Sequence, residues 1–183
     1  MALTQTPLCD FGWKARDFDL TGVDKKNYSL QNSSGKNGTL VMFICNHCPY
    51  VLAIIDRLLI DIKIIQNNEI GVIAIMPNAT ELVPQDSFEQ MITFSKNHGF
   101  SFPYVVDTEQ KVSYAYKAMC TPDFFGFNSS MELQYRGRFD NAGLDKPDDS
   151  TKKELLNAMV TISQTGKGPK EQEPSMGCSI KWR

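Results

Sequence analysis

The sequence predicts an α/β fold, a central mixed sheet flanked by helices. Two apolar runs, at 39–45 (TLVMFIC) and 70–76 (IGVIAIM), have no polar alternation, the mark of strands buried on both faces. Between them Val51, Ile54, Ile55, Leu58, Leu59, Ile62 and Ile65 recur at three- and four-residue intervals. That spacing makes a helix of about five turns, so the two strands run parallel, joined by a right-handed crossover.

The other elements follow in chain order. Residues 1–38 are polar and turn-rich, with short extended candidates at 18–20 and 28–30 and a break at 32–38 (NSSGKNG), which together read as an N-terminal hairpin extension. The long helix starts near Asn46 and stops at Asn67-Asn68. After a loop at 77–84, residues 85–97 read as a helix capped by Asp86 or Ser87, with Phe88, Met91, Ile92 and Phe94 on its apolar side. Residues 102–107 (FPYVVD) form a strand and 109–118 a short helix. Residues 123–127 and 133–139 form an antiparallel pair around Asn128-Ser-Ser. A last helix at 152–164 closes on Gly166. The tail, 167–183, is rich in lysine and glutamate, but Cys178, Ile180 and Trp182 predict that its end docks on the body. With 183 residues and no internal repeat, the chain is expected to form one domain, 1–183.

Composition narrows the function. The chain is 42% hydrophobic and 22% charged, with a net charge of -2, so it lacks the basic excess that neutralises nucleic-acid phosphates. The most apolar stretch, 54–65, is interrupted by Asp56, Arg57, Asp61 and Lys63, which excludes a membrane-spanning helix. Residues 1–11 show no basic-then-apolar leader, and the five cysteines are odd in number and irregularly spaced. These features predict a cytoplasmic protein that keeps most thiols reduced.

Cys45-Asn46-His47-Cys48-Pro49 carries the chemistry. It lies where a buried strand hands over to a helix, and that placement turns a two-residue spacing into a redox expectation. A thiol in the first turn of a helix faces unpaired N–H groups and the positive end of the dipole, so Cys45 is expected to be the nucleophile. Helical geometry brings Cys48 beside it as the resolving thiol. His47 adds a titratable imidazole, and Pro49 suits a first turn that needs no N–H there. No second close pair of Cys or His accompanies these residues, so no metal and no other cofactor is expected. Cys120-Thr121-Pro122 precedes an apolar strand and is the second segment of interest.

Four stretches, Phe43-Ile-Cys-Asn-His-Cys-Pro49, Cys120-Thr-Pro-Asp-Phe-Phe125, Tyr135-Arg-Gly-Arg-Phe-Asp140 and Gly177-Cys-Ser-Ile-Lys-Trp182, together resemble the peroxiredoxin-like branch of the AhpC/TSA redoxins, within the thioredoxin-like superfamily. The resemblance implies a thioredoxin-like fold with a hairpin extension, a cis Pro122, and Thr121 lining a substrate groove. It also implies thiol-disulfide oxidoreductase activity on a disulfide-containing protein or small thiol, re-reduced by a further thiol. The alternatives are a thiol peroxidase and a copper- or other metal-binding redoxin chaperone. True peroxiredoxins carry threonine or serine three residues before the reactive cysteine and proline seven before it; here those positions are Met42 and Gly38.

Other residues have bland readings beside functional ones. Cys120 and Cys178 are either auxiliary thiols or buried packing, and a Cys9–Cys178 bridge is conceivable. Asp107 and Asp123 are candidate proton acceptors for Cys48, or structural carboxylates. His98 fits a helix C-terminus, and Arg136 and Arg138 a solvated strand face.

Overall fold

The computed structural model describes residues 3–183. Its main sheet has seven strands. Three are parallel: β4 (Gly38–Phe43) at the centre, β5 (Ile70–Met76) and β6 (Tyr104–Val106). The antiparallel pair β2 (Asp19–Gly22) and β3 (Asn27–Ser29) extends the β6 edge, and β8 (Asp123–Phe127) and β9 (Leu133–Tyr135) extend the other, giving the order β3-β2-β6-β5-β4-β8-β9. The sheet is mixed because its two edges come from hairpins while its centre comes from crossovers.

Each residue of β4 is buried, as an unalternated apolar run requires. Leu40 and Met42 face one apolar layer and Val41 and Phe43 the other. The first layer holds α2 (Pro49–Asn67), α3 (Phe88–His98) and α5 (Glu154–Thr165). The second takes α1 (Leu30–Ser33), α4 (Lys111–Ala115) and an aromatic cluster in which Trp13 and Phe43 both pack on Tyr116. Asp61, which breaks the apolar face of α2, is buried and receives Lys153 Nζ at 2.8 Å, tying α2 to the start of α5.

The helix ends have local causes. Pro49 is the first residue of α2, and proline disfavours helical backbone in the residue before it, so Cys48 is extended at φ −70, ψ 120 and caps the helix. The helix thus begins three residues later than the spacing predicts. α3 is capped by Ser87, whose side chain accepts from Gln90 N–H, and ends on Gly99 at φ 66. Gly166 ends α5 in the same left-handed conformation, at φ 71.

Three strands that periodicity did not reveal form a second small sheet. The edge strands β1 (Leu3–Gln5) and β7 (Cys120–Thr121) flank β10 (Met176–Ser179), which is the docked end of the tail. Beyond it, Ile180 is buried and Trp182 stacks on Tyr114 with ring centroids 4.1 Å apart. Strands of two to four residues are too short to show a period, so pairing partners alone define them.

Arg136 and Arg138 depart from the solvated face expected of them. Arg136 is buried, donates to Asp123 at 2.9 Å and lies over the Phe125 ring at 4.3 Å. Arg138 makes a two-pronged pair with Glu154, at 2.5 and 2.9 Å. The pairing strand ends at Tyr135, so alternation no longer governs the residues that follow it.

Candidate active site

The loop 45–48 leaves the C-terminal end of β4, where Ile44 N–H still donates to the Ile75 carbonyl at 3.1 Å. Because α2 starts at Pro49, Cys45 lies in this loop and Cys48 occupies the N-cap. The positive end of the helix dipole therefore acts most strongly on Cys48, not on Cys45 as the expected helix start implied. Both sulfurs are fully buried, and Asn46 and His47 are the partly exposed residues of the loop.

Thr121 joins the two thiols. Its Oγ1 lies 3.3 Å from Cys45 Sγ, and its carbonyl accepts from Cys48 Sγ at 3.0 Å. The Thr121-Pro122 bond is cis, in agreement with the family resemblance. On the other side of Cys45, His47 Nδ1 lies 3.7 Å from the sulfur and 2.8 Å from Asp86 Oδ2. Both contacts fall on one ring nitrogen, so the imidazole is held by the carboxylate rather than passing a proton from one ring nitrogen to the other.

Cys45 and Cys48 act in opposite directions on one another's ionisation. The neighbouring Cys45 thiol, more than any other cause, brings the Cys48 pKa down to about 5, against the opposing cost of burial. The thiol and backbone N–H of Cys178 add to that lowering. Cys45 is pushed well above the ordinary thiol range by the neighbouring Cys48, by burial and by the Asp86 carboxylate. The Thr121 carbonyl opposes ionisation at Cys48, because there the S–H is the donor. The helix N-cap and the lowering effects of Cys45, Cys178 and the Thr121 side chain outweigh that one carbonyl, so Cys48 is the thiol of the pair that ionises first.

Asp86 is the site residue that sequence reasoning missed. It is fully buried and accepts from Asn46 N–H at 2.9 Å, His47 Nδ1 at 2.8 Å and Asn78 Nδ2 at 2.7 Å. The available signal was two capping residues in succession, Asp86-Ser87, where a helix uses one. Ser87 takes the cap and leaves the carboxylate free to turn inward. The two carboxylates proposed as proton acceptors serve elsewhere: Asp107 accepts from Ser113 N–H and Oγ, both at 2.7 Å, and Asp123 is held by Arg136.

The remaining thiols divide. Cys178 is the cross-strand partner of Thr121, the residue that touches both Cys45 and Cys48, whereas Cys120 donates to the Pro122 carbonyl at 3.5 Å and burial drives its pKa up. Cys9 packs in the opposite apolar layer from Cys178, which leaves the conceived bridge between them without a basis. His98 ends α3 as expected, 3.7 Å from Asp56. Cys45, His47 and Asp86 each offer one ligand atom, all within 4.8 Å of one another, a donor set that sequence spacing did not show. A cleft of about 590 Å³ opens against Pro122, lined in part by Tyr50, Ile54, Phe139 and Met176.

The profile of the AhpC/TSA family matches residues 11–139. The chain belongs to the AhpC/TSA family. Its thioredoxin-like fold is shared with solved structures: an uncharacterised conserved protein from Geobacillus kaustophilus is 34% identical with a TM-score of 0.94, covering 100% of this chain and 97% of that one. A hypothetical protein from Sinorhizobium meliloti 1021 is 32% identical with a TM-score of 0.90, covering 98% of both chains. A thiol-disulfide oxidoreductase from Bacteroides fragilis, at 18% identity, a TM-score of 0.54 and coverage of 68% and 89%, shares the fold. No significant match was found among curated protein sequences. The family match stops before the tail, so Cys178 lies outside it.

Proposed function

We propose that this redoxin is a dithiol–disulfide oxidoreductase whose redox centre is Cys45 and Cys48, acting on a disulfide of a protein or small thiol. The observation that carries the reading is the convergence of these two buried thiols on Thr121, whose hydroxyl lies 3.3 Å from Cys45 Sγ and whose carbonyl accepts from Cys48 Sγ at 3.0 Å. Cys45 forms the mixed disulfide with substrate. As its sulfur attacks, the Cys48 thiolate takes its proton, and the first substrate sulfur leaves as thiolate. That thiolate then accepts the proton from Cys48, which attacks Cys45 and releases the second substrate sulfur. The products are a Cys45–Cys48 disulfide and a substrate reduced by two electrons. A further thiol reductant restores the dithiol. Thr121 and Pro122 line the approach, and the cleft beside Pro122 suits an extended substrate segment. A reducing, cytoplasmic setting is part of this proposal.

The test uses two variants in a disulfide-reduction assay. Cys45→Ser is expected to abolish turnover, and Cys48→Ser to accumulate a mixed disulfide on Cys45. A fully active Cys45→Ser protein overturns the assignment.

Two observations favour other readings. The Thr121 hydroxyl beside Cys45 comes from a different strand but supplies the group that Met42 lacks, which supports a thiol peroxidase. It predicts that peroxide consumes Cys45 much faster than a free thiol of equal pKa. The Cys45, His47 and Asp86 donors support a metal-binding redoxin, and metal analysis of protein purified under reducing conditions separates that case.

A further inference from the structure

Three cysteines, not two, meet at Thr121. Its hydroxyl touches Cys45, its carbonyl touches Cys48, and its partner across the β7–β10 ladder is Cys178. Cys45, Cys48 and Cys178 all belong to the same buried apolar layer, and β10 packs on α2, which begins just after Cys48.

The placement is fixed by the fold. Gly177 brings β10 close to β7, because a Cβ there would stand 2.1 Å from the Thr121 carbonyl oxygen. Ser175 Oγ donates to the Pro122 carbonyl at 2.8 Å, Thr6 N–H donates to the Ser175 carbonyl at 2.9 Å, and Lys181 N–H donates to Asn78 Oδ1 at 2.9 Å. The strand carrying Cys178 is therefore held on both sides of the cysteine.

We propose that Cys178 is a third redox-active thiol, which attacks Cys48 of the Cys45–Cys48 disulfide and converts it to a Cys48–Cys178 disulfide. The inference rests on the dithiol reading above. In this step the Cys45–Cys48 bond breaks as the Cys48–Cys178 bond forms, and the proton of Cys178 ends on Cys45. The oxidation state of the protein does not change, and no external oxidant is needed. All three cysteines converge on Thr121 within one buried layer, so the exchange is intramolecular and requires no exposure to solvent.

The electrostatics favour it at the right moment. In the dithiol, the Cys178 pKa is raised to about 12, first by burial and then by its bond to Cys48 and the Cys48 charge. Oxidation of Cys48 removes the last two causes, so Cys178 ionises more readily once its target disulfide exists. The result is a protein that keeps its oxidising equivalent between α2 and the tail while Cys45 returns as a free thiol beside His47. Cys45 is then available for a second encounter.

The experiment exposes full-length wild-type and Cys45→Ser protein to glutathione disulfide, traps thiols with acid, and maps disulfides by mass spectrometry. Expected are a Cys48–Cys178 disulfide in Cys45→Ser and both Cys45–Cys48 and Cys48–Cys178 species in wild type. Cys178→Ser, checked for a native circular dichroism spectrum, loses only the second species. Glutathione on Cys48 with Cys178 still a thiol in Cys45→Ser overturns the inference, even if wild type forms Cys45–Cys48. If wild type forms neither disulfide, the dithiol reading fails along with it.

Discussion

The opposed ionisation of Cys45 and Cys48, one pushed up and the other down, governs the proposed chemistry at the scale of single residues. Because the Cys45 thiol is the largest cause lowering Cys48, Cys45→Ser should move the Cys48 pKa up from about 5. Thiolate ultraviolet absorbance against pH reads this directly, and an unmoved titration contradicts the coupling. The sign for stability follows from the lowered pKa. A thiol that ionises at about 5 in the fold and at 9.0 when unperturbed stabilises the fold fully above the higher value, and that contribution is lost as pH falls to the lower. Above 9.0, the raised Cys45 opposes it. The reduced protein should lose urea resistance relative to the oxidised form on acidification through this window. Asp86→Asn removes a carboxylate charge that raises Cys45, so the second thiolate step should shift to lower pH in the same titration.

At the scale of elements, the buried Arg136–Asp123 pair joins β8 to the segment after β9. Desolvation pushes Asp123 upward and the guanidinium opposes it, so removing Arg136 leaves an uncompensated buried carboxyl. Arg136→Ala should therefore cost about 3 to 5 kcal/mol in urea unfolding, and a loss under 1 kcal/mol contradicts the pairing. The second small sheet makes a prediction of its own. Gly177→Ala places a methyl against the Thr121 carbonyl and should displace β10, lowering Tm and moving the Cys48 titration upward as Cys178 withdraws. Unchanged values for both would contradict the close approach.

Long, strongly periodic elements were the legible part of the sequence. β4, β5 and α2 announced themselves through unbroken apolar runs and three-four spacing, because a strand buried on both faces and a helix with one buried face tolerate few polar residues. The helix start was misplaced by three residues because Pro49 constrains the residue before it as well as its own position. Short strands at the chain ends were invisible, since β1, β7 and β10 exist only through partners distant in sequence.

The scale of the whole molecule shows why the site was half legible. The Cys-Asn-His-Cys motif is local, so the sequence showed it, whereas Asp86, Thr121 and Cys178 arrive from a turn, an edge strand and the tail. The Thr-Pro pair gains a role only through family resemblance, and Asp86 reads in the sequence as one of two candidate caps, beside Ser87. Function here is a property of the closed fold: the crossover sets the cysteines at the end of β4, and the second sheet closes over them.

The measurement that tests the central claim most directly is equilibration of the reduced protein in glutathione redox buffers, with acid-trapped thiols mapped by mass spectrometry. The account predicts one two-electron transition, between roughly −270 and −120 mV, that consumes Cys48 together with Cys45 or, after the internal exchange, with Cys178. Cys45 and Cys48 both remaining thiols across that range, or Cys45 bridging to Cys120 instead, would contradict it.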